Sequence, residues 1–351
     1  MDVRLSPEQH ALRDAAAHVV DRLGPGTVAG LDDMERSGRL ADAVEVSGWL
    51  ELRQRAEDDG PLTSVVEVAI VAEELGRGLA DVPFVGPVMA ADLRRRAGAG
   101  LADAPETVLL DRTLSWPARS LNGETPAGVS VDATEGRAAL VLLGDETASR
   151  WRLGLVPLQA GESRLDLTRR SAVVKDGAVL AVLETPDVLG EDHLAAWMAL
   201  GLALSCADLV GVMRGAFELA RAYASTRRQY DAPIGSFQAL QHLLVDAYVA
   251  MEGSRSIALH AAWAVDALAP PDALAATAAA KAYCARAALF VCETSVQVHG
   301  GIGNTWDCLA HVFLRRALLS IELFGGADTN VERVLAHHGI RTPVGSSHGL
   351  R

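Results

Sequence analysis

Two short stretches concentrate side chains suited to holding a charged, partly aromatic ligand. The first runs from Arg227 to Gln238, RRQYDAPIGSFQ, and the second from Gln297 to Gly301, QVHGG. The planar guanidinium of Arg227, placed where a helix ends, suits bidentate contact with a pyrophosphate. Tyr230 and Phe237 offer apolar ring faces, while Gln238 and Gln297 offer neutral donors and acceptors. Gly300 and Gly301 carry no side chain, so backbone there can approach a ligand closely. Taken singly, each feature has an ordinary structural reading. An arginine after a helix complements its dipole, a Gly-Gly pair stops a helix, and lone aromatics fill cores. Their joint occurrence is what points to a ligand.

The elements that position these residues follow from texture along the chain. Ser6-Pro7-Glu8-Gln9 is a helix start, with a capping serine, an early proline and a glutamine that closes a capping box. Helical texture continues to about Gly100, including Ser64 to Leu75, with Pro83 and Pro87 marking a turn. From Ala104 to Leu189 short β-branched runs (Thr107–Leu110, Ala138–Leu143, Ala172–Val174, Ala178–Val182) alternate with Gly, Pro, Asp and Asn. They predict a small antiparallel β domain, with Lys175-Asp176-Gly177 as a hairpin turn. After Pro186 apolar residues return at helical spacing: Cys206, Leu209, Met213, Ala216, Ala220 and Tyr223. Leu240, Leu244, Ala247 and Met251 continue that pattern after a Pro-Ile-Gly break. A third helix is expected from Asp272 to Val298 after Pro270-Pro271, and a fourth from Asn304 or Thr305 to about Phe324. The organisation is thus mainly α with a small β domain: helices over 1–103, strands over 104–190, and a four-helix bundle over 191–351.

Composition narrows the classes. The 351 residues suit several packed subdomains rather than one small core. A net charge of -13 argues against a nucleic-acid or anionic-membrane surface. Cys206, Cys284, Cys292 and Cys308 show no C-x-x-C spacing, so neither a disulfide scaffold nor a zinc site is expected. The start, MDVRLSPEQ, lacks the apolar segment of a signal peptide. Asp208, Arg214 and Glu218 interrupt the most apolar run, so no membrane span is expected. A cytoplasmic protein is the resulting expectation.

The stretch ARAYASTRRQYDAPIGSFQALQHLLVDAYVAMEGSR resembles the strongest signature of the acyl-CoA dehydrogenase family: a basic-aromatic segment, Pro-Ile, then Phe-Gln before a long helix. QVHGGIGNT at 297–305 is similar to that family's Gln-x-x-Gly-Gly element, and the N-terminal VAIVAEELGRGLADVPF also fits. The resemblance implies an N-terminal helical domain, a middle antiparallel β domain and a C-terminal four-helix bundle. It implies FAD as cofactor, an acyl-CoA substrate, and an electron-transfer flavoprotein or similar acceptor. It assigns FAD contacts to Arg227, Tyr230, Phe237, Gln238, Gln297, Gly300 and Gly301, with Arg227 reaching the FAD of a neighbouring subunit.

The same resemblance requires a carboxylate to remove the substrate's α proton, and both usual positions lack one. The first, after the last bundle helix, falls on Phe324 or Gly325; the second, on the first bundle helix, falls on Gly201. Glu322, Asp328 and Asp208 are the nearest acids, each more simply read as a surface or paired carboxylate. The family's Thr-Glu-Pro, Gly-Ser-Asp and Trp-Ile-Thr runs are absent from the middle segment. Trp116 and Trp151 are candidates for a flavin wall or for ordinary core, and Asp166–Arg169 resembles a later family strand. Asp231 replaces the usual glycine after the aromatic. The pattern resembles the smaller, base-less subunit of heteromeric actinobacterial acyl-CoA dehydrogenases, whose partner chain supplies the glutamate and the flavin pocket. An independent flavoenzyme using another base, and a non-catalytic structural paralogue, are the alternatives.

Overall fold

The computed structural model describes residues 4–57, 59–121, 124–133, 136–144, 150–159, 165–178 and 181–340. Helix α1 (Pro7–Leu23) starts at the predicted capping box. The Ser6 amide donates to Gln9 Oε1 at 3.0 Å, and the Gln9 amide donates back to Ser6 Oγ at 3.2 Å. Three more helices follow: α2 (Met34–Val46), α3 (Val65–Arg77) and α4 (Val85–Arg96).

The middle segment forms β1 (Thr107–Leu110), β2 (Arg119–Leu121), β3 (Gly128–Val131), β4 (Ala138–Gly144), β5 (Arg152–Pro157), β6 (Ser171–Val174) and β7 (Ala181–Val182). The expected antiparallel pattern is broken at β4, which pairs in parallel with both β1 and β2; the sheet is mixed. Nor does β6 form a hairpin across Gly177. It pairs with β3, while β7 crosses to the edge of β5. Residues 179 and 180 of the last predicted run lie outside the described residues.

The C-terminal half holds α5 (Glu191–Thr226), a tight hairpin of β8 (Arg228–Gln229) and β9 (Ala232–Pro233), then α6 (Gln238–Ala267) and α7 (Pro270–His299). Both prolines lie inside the first turn of α7, where their missing N–H groups cost nothing. The predicted fourth helix is shorter than expected, and a further one follows it. Gly300–Asn304 is a short 3-10 helix, α8 begins only at Ala310 and ends at Glu322, and α9 (Ala327–His337) follows. The bundle therefore has three long helices and two short ones among the described residues.

By length and composition, Glu191–Thr226 and Pro270–Asn304 are apolar enough to cross a membrane, contrary to the expectation from Asp208 and its neighbours. The apolar window of α5 is wholly buried inside the chain. Its neighbours approach closely because it lacks side chains where they cross. A Cβ on Gly211 would lie 1.9 Å from the Glu73 carbonyl oxygen of α3.

A buried ion cluster ties the β domain to the bundle. Asp208 Oδ1 accepts from Arg169 at 2.8 Å and from Arg316 at 2.7 Å, and Oδ2 accepts from Ser320 Oγ at 2.6 Å. Arg169 also lies 3.7 Å from Asp132, whose other oxygen accepts from the amides of Phe84 and Gly86 at the start of α4. Burial alone would raise the Asp208 pKa, but Arg169 and Arg316 outweigh it and hold the carboxyl below its ordinary range. Asp208→Asn would leave two buried guanidiniums short of a counter-charge and should lower stability by about 3–5 kcal/mol at neutral pH, measured by urea unfolding. Because the folded-state pKa is depressed, the carboxylate's contribution is present above about pH 4 and lost as pH falls through the folded value. The deficit of the variant should accordingly shrink in acid.

Candidate cofactor-binding site

The end of α5, the β8–β9 hairpin, the start of α6 and the end of α7 meet at one end of the bundle. Val298 of α7 packs in a small apolar cluster with Ala220 and Ala224 of α5 and with Ile234 and Leu240. His299 stacks on Tyr223 with ring centroids 4.5 Å apart, its Nδ1 donating to the Ser295 carbonyl at 2.7 Å. This clamp brings the Gln297 element to the Arg227 element. His299 was not singled out from sequence, although it lies inside the QVHGG run.

Arg227 is the residue at which α5 ends, its amide donating to the Tyr223 carbonyl. Arg227, Tyr230, Phe237, Gln238, Gln297, Gly300 and Gly301 are all exposed. The Tyr230 ring is 91% exposed and meets Phe237 edge-on at 6.4 Å. Arg227 makes no side-chain ion pair among the described residues, and no atom lies within 4 Å of a Cβ built on Gly300 or Gly301. Gly300 takes φ +64°, a conformation glycine adopts without penalty. A guanidinium, two amides, two ring faces and open backbone together fit the diphosphate and aromatic parts of FAD. Trp306, 65% exposed, and Ile302 stand just beyond Gly301 and extend the surface.

The substitution at Asp231 does not disrupt the turn. Tyr230 and Asp231 occupy the two central positions with φ 51° and 62°, as a two-residue hairpin of this twist requires. The Arg228 guanidinium donates to the Asp231 carbonyl and steadies the turn. Asp231→Gly should remove the strain of a left-handed aspartate and raise stability by about 0.5–1 kcal/mol, with FAD content of the holo-complex unchanged; thermal unfolding and flavin absorbance check both.

Phe324, one of the two residues at the first acid-lacking position, touches Gly201, the second. A Cβ on Gly201 would lie 2.8 Å from the Phe324 ring, which also meets Trp197 edge-on at 5.9 Å. Phe324 is 2% exposed and Trp197 fully buried, with the indole N–H donating to the Met89 carbonyl at 2.8 Å. The acids considered as substitutes do other work. Asp208 belongs to the buried cluster, Glu322 is exposed on the last turn of α8, and Asp328 is exposed 3.6 Å from Arg286. Trp116 and Trp151 are held by cations: Arg333 lies 4.5 Å from the Trp116 ring and Arg119 5.0 Å from that of Trp151. Asp166 accepts from the amide and hydroxyl of Thr168, fixing the loop that delivers Arg169.

Lys281, also missed from sequence, is fully buried on α7 and donates to the carbonyls of Ser320 and of Leu323, the latter at 2.9 Å. Burial pulls its amine down to about 8. The unfolded chain therefore binds more protons between about pH 8 and the ordinary lysine value, and this group's contribution to stability rises with pH across that window. Buried Cys284 and Cys292, whose pKa values are raised, act oppositely at higher pH. The stability difference, wild type minus Lys281→Met, cancels the contribution of Cys292 and should grow from pH 8 to 10 in denaturant titrations.

This order of helices, sheet and bundle is the acyl-CoA dehydrogenase fold. Residues 196–338 match the family model for the acyl-CoA dehydrogenase C-terminal domain. The acyl-CoA dehydrogenase IpdE2 of Mycolicibacterium smegmatis is 35% identical over 173 residues, 49% of this chain and 50% of that protein; the match thus spans about half the length of this curated relative. The ChsE4-ChsE5 complex from Mycobacterium tuberculosis aligns with TM-score 0.77 and 25% identity over 98% of this chain and 100% of the matched one. A Tcur3481-Tcur3483 steroid ACAD variant aligns with TM-score 0.77 and 22% identity over 95% and 98%.

Proposed function

We propose that this chain is one subunit of a heteromeric, FAD-dependent acyl-CoA dehydrogenase that forms a 2,3-enoyl-CoA, and that it completes an FAD site whose flavin pocket and base belong to a partner chain of the same fold. The observation that carries this reading is the contrast between an intact, exposed cofactor grip and a base region filled by Phe324 against Gly201. The likeness to two heteromeric assemblies supports a partner of the same fold, and the description of one of them as a steroid enzyme supports a bulky acyl group.

On this reading bound FAD would supply the acceptor for the hydride of the substrate's β carbon. This chain's residues bind and orient. Arg227 neutralises the diphosphate, with Gln238 and Gln297 as neutral hydrogen-bonding groups. Tyr230 and Phe237 cover aromatic surface, and Gly300 with Gly301 lets backbone come close. The proton is taken by the partner's carboxylate, and an electron-transfer flavoprotein or similar acceptor reoxidises the complex.

Co-expression with a dehydrogenase chain of the same fold that carries the glutamate, followed by flavin quantification, tests the proposal. One FAD per two chains is expected. This chain purified alone as a yellow, active enzyme would refute it. Arg227→Ala in the complex removes a charge-assisted contact worth about 1.5–3 kcal/mol, so FAD should dissociate roughly 10–150-fold more readily.

A further inference from the structure

The turn that follows α8 is held more firmly than its sequence, LFGGAD, requires. Four consecutive carbonyls, Leu323 to Gly326, each accept a hydrogen bond from a side chain of another element. Lys281 donates to Leu323, Arg333 to Phe324 at 2.5 Å, and Asn330 to Gly325 at 2.7 Å and Gly326 at 3.0 Å. Arg333 is itself fixed by the Ser115 carbonyl at 2.8 Å, by Asn330 Oδ1 and by the Trp116 ring. Phe324 takes φ 61°, a left-handed conformation that a bulky residue adopts only when its surroundings impose it. What those surroundings impose is the ring's position, against the bare Cα of Gly201 and the edge of Trp197.

We infer that residues 323–326 are a permanent seal over this chain's own acyl site, so that the chain takes no acyl thioester and the complex has one acyl-binding site per pair of chains. The inference rests on the assignment above of positions 201 and 324 to the base region. It goes beyond that assignment, because a missing acid alone would leave an open pocket that still bound substrate. Here the space is filled by a ring, and the segment carrying it is tied to α7 through Lys281 and to α9 through Asn330 and Arg333, the latter itself fixed by the Ser115 carbonyl of the β domain. A substrate could enter only by breaking the hydrogen bonds that α7 and α9 make to the turn.

The test uses the full-length chain. Titration of the isolated wild type with dodecanoyl-CoA to about 1 mM, the top of the usual KM range, should give no saturable binding; a one-to-one isotherm would overturn the seal. Phe324→Gly removes the ring and suits the left-handed backbone, leaving an apolar cavity beside Gly201. Saturating benzene should raise that variant's melting temperature by about 3 °C and leave the wild type unmoved. A folded variant indifferent to benzene, or a wild type that responds equally, also overturns the inference. Should the glycine variant not fold, hydrogen exchange of the wild type decides. The Leu323 and Gly325 amides, bonded to Leu319 and Glu322, should exchange only through global unfolding, and exchange by local opening contradicts a seal. These outcomes are independent of FAD content. Failure of Arg227→Ala to loosen FAD would remove the cofactor-sharing reading and leave the closed cavity standing.

Discussion

A single carboxylate, that of Asp208, sits at full burial between two guanidiniums, and the packing of the chain depends on how it is satisfied. Its hydrogen-bond partners come from two regions. Arg169 arrives from the loop before β6, while Arg316 and Ser320 come from α8. Arg316 also donates to the Ala80 carbonyl, which anchors the segment between α3 and α4. An apolar core alone tolerates small slippage between its layers; a buried ion cluster does not, because each displaced charge loses a hydrogen bond in a medium that offers no replacement. The ends of α8 and the β domain are therefore held in one relation to α5. The same engagement disqualifies Asp208 as a proton acceptor, since both its oxygens already accept from buried donors.

Helix α5 acts as a ruler for the functional features. Gly201 lies about 10 Å, two turns, before Asp208, and Arg227 about 28 Å beyond it, at 1.5 Å per residue. The closed base region and the cofactor grip are thus separated by most of the length of one helix. That separation makes sense of their opposite fates. Filling the first with an aromatic ring costs the second nothing, because no side chain is shared between them. The seal and the ion cluster, by contrast, are coupled through Ser320, whose hydroxyl donates to Asp208 and whose carbonyl accepts from Lys281.

The turn from Arg227 to Gln238 and the long helices were legible in the sequence because each is local. A twelve-residue motif carries its own turn chemistry, and an apolar stripe of period 3.6 is visible within one segment. What was not legible is non-local. Parallel pairing of β4 with β1 and β2 leaves no mark on any strand alone, and β2, β3 and β5 are short runs interrupted by serine, arginine or glycine. Helix α9 starts after a Gly-Gly pair without a side-chain cap, so it carries no start signal. Position 201 and position 324 could each be seen to lack an acid, but not that the two residues touch. The relation between a bare Cα and a ring 123 residues later exists only in the fold. Lys281 was hidden for a similar reason: a lysine in an alanine-rich helix reads as a solvated charge until the carbonyls that receive it are in place.

The kind of partner follows from what the two ends of α5 offer. A second copy of this chain would present a second cofactor grip and a second sealed turn. On the reading proposed here, two such chains face to face would have two walls for a dinucleotide and a closed turn in place of each acyl site. A chain of the same fold with an open turn after α8 supplies what is missing, and in return needs a neighbour's exposed arginine, aromatic pair and Gly-Gly backbone. The strained Tyr230-Asp231 turn belongs to this argument. It holds a 91% exposed tyrosine rigidly clear of its own chain, an arrangement that buries nothing within the monomer. Strain of that kind persists where the surrounding structure over-determines it and a ligand or partner uses the result. On the reading proposed here, the hairpin tip is set in advance for a surface that this chain does not contain.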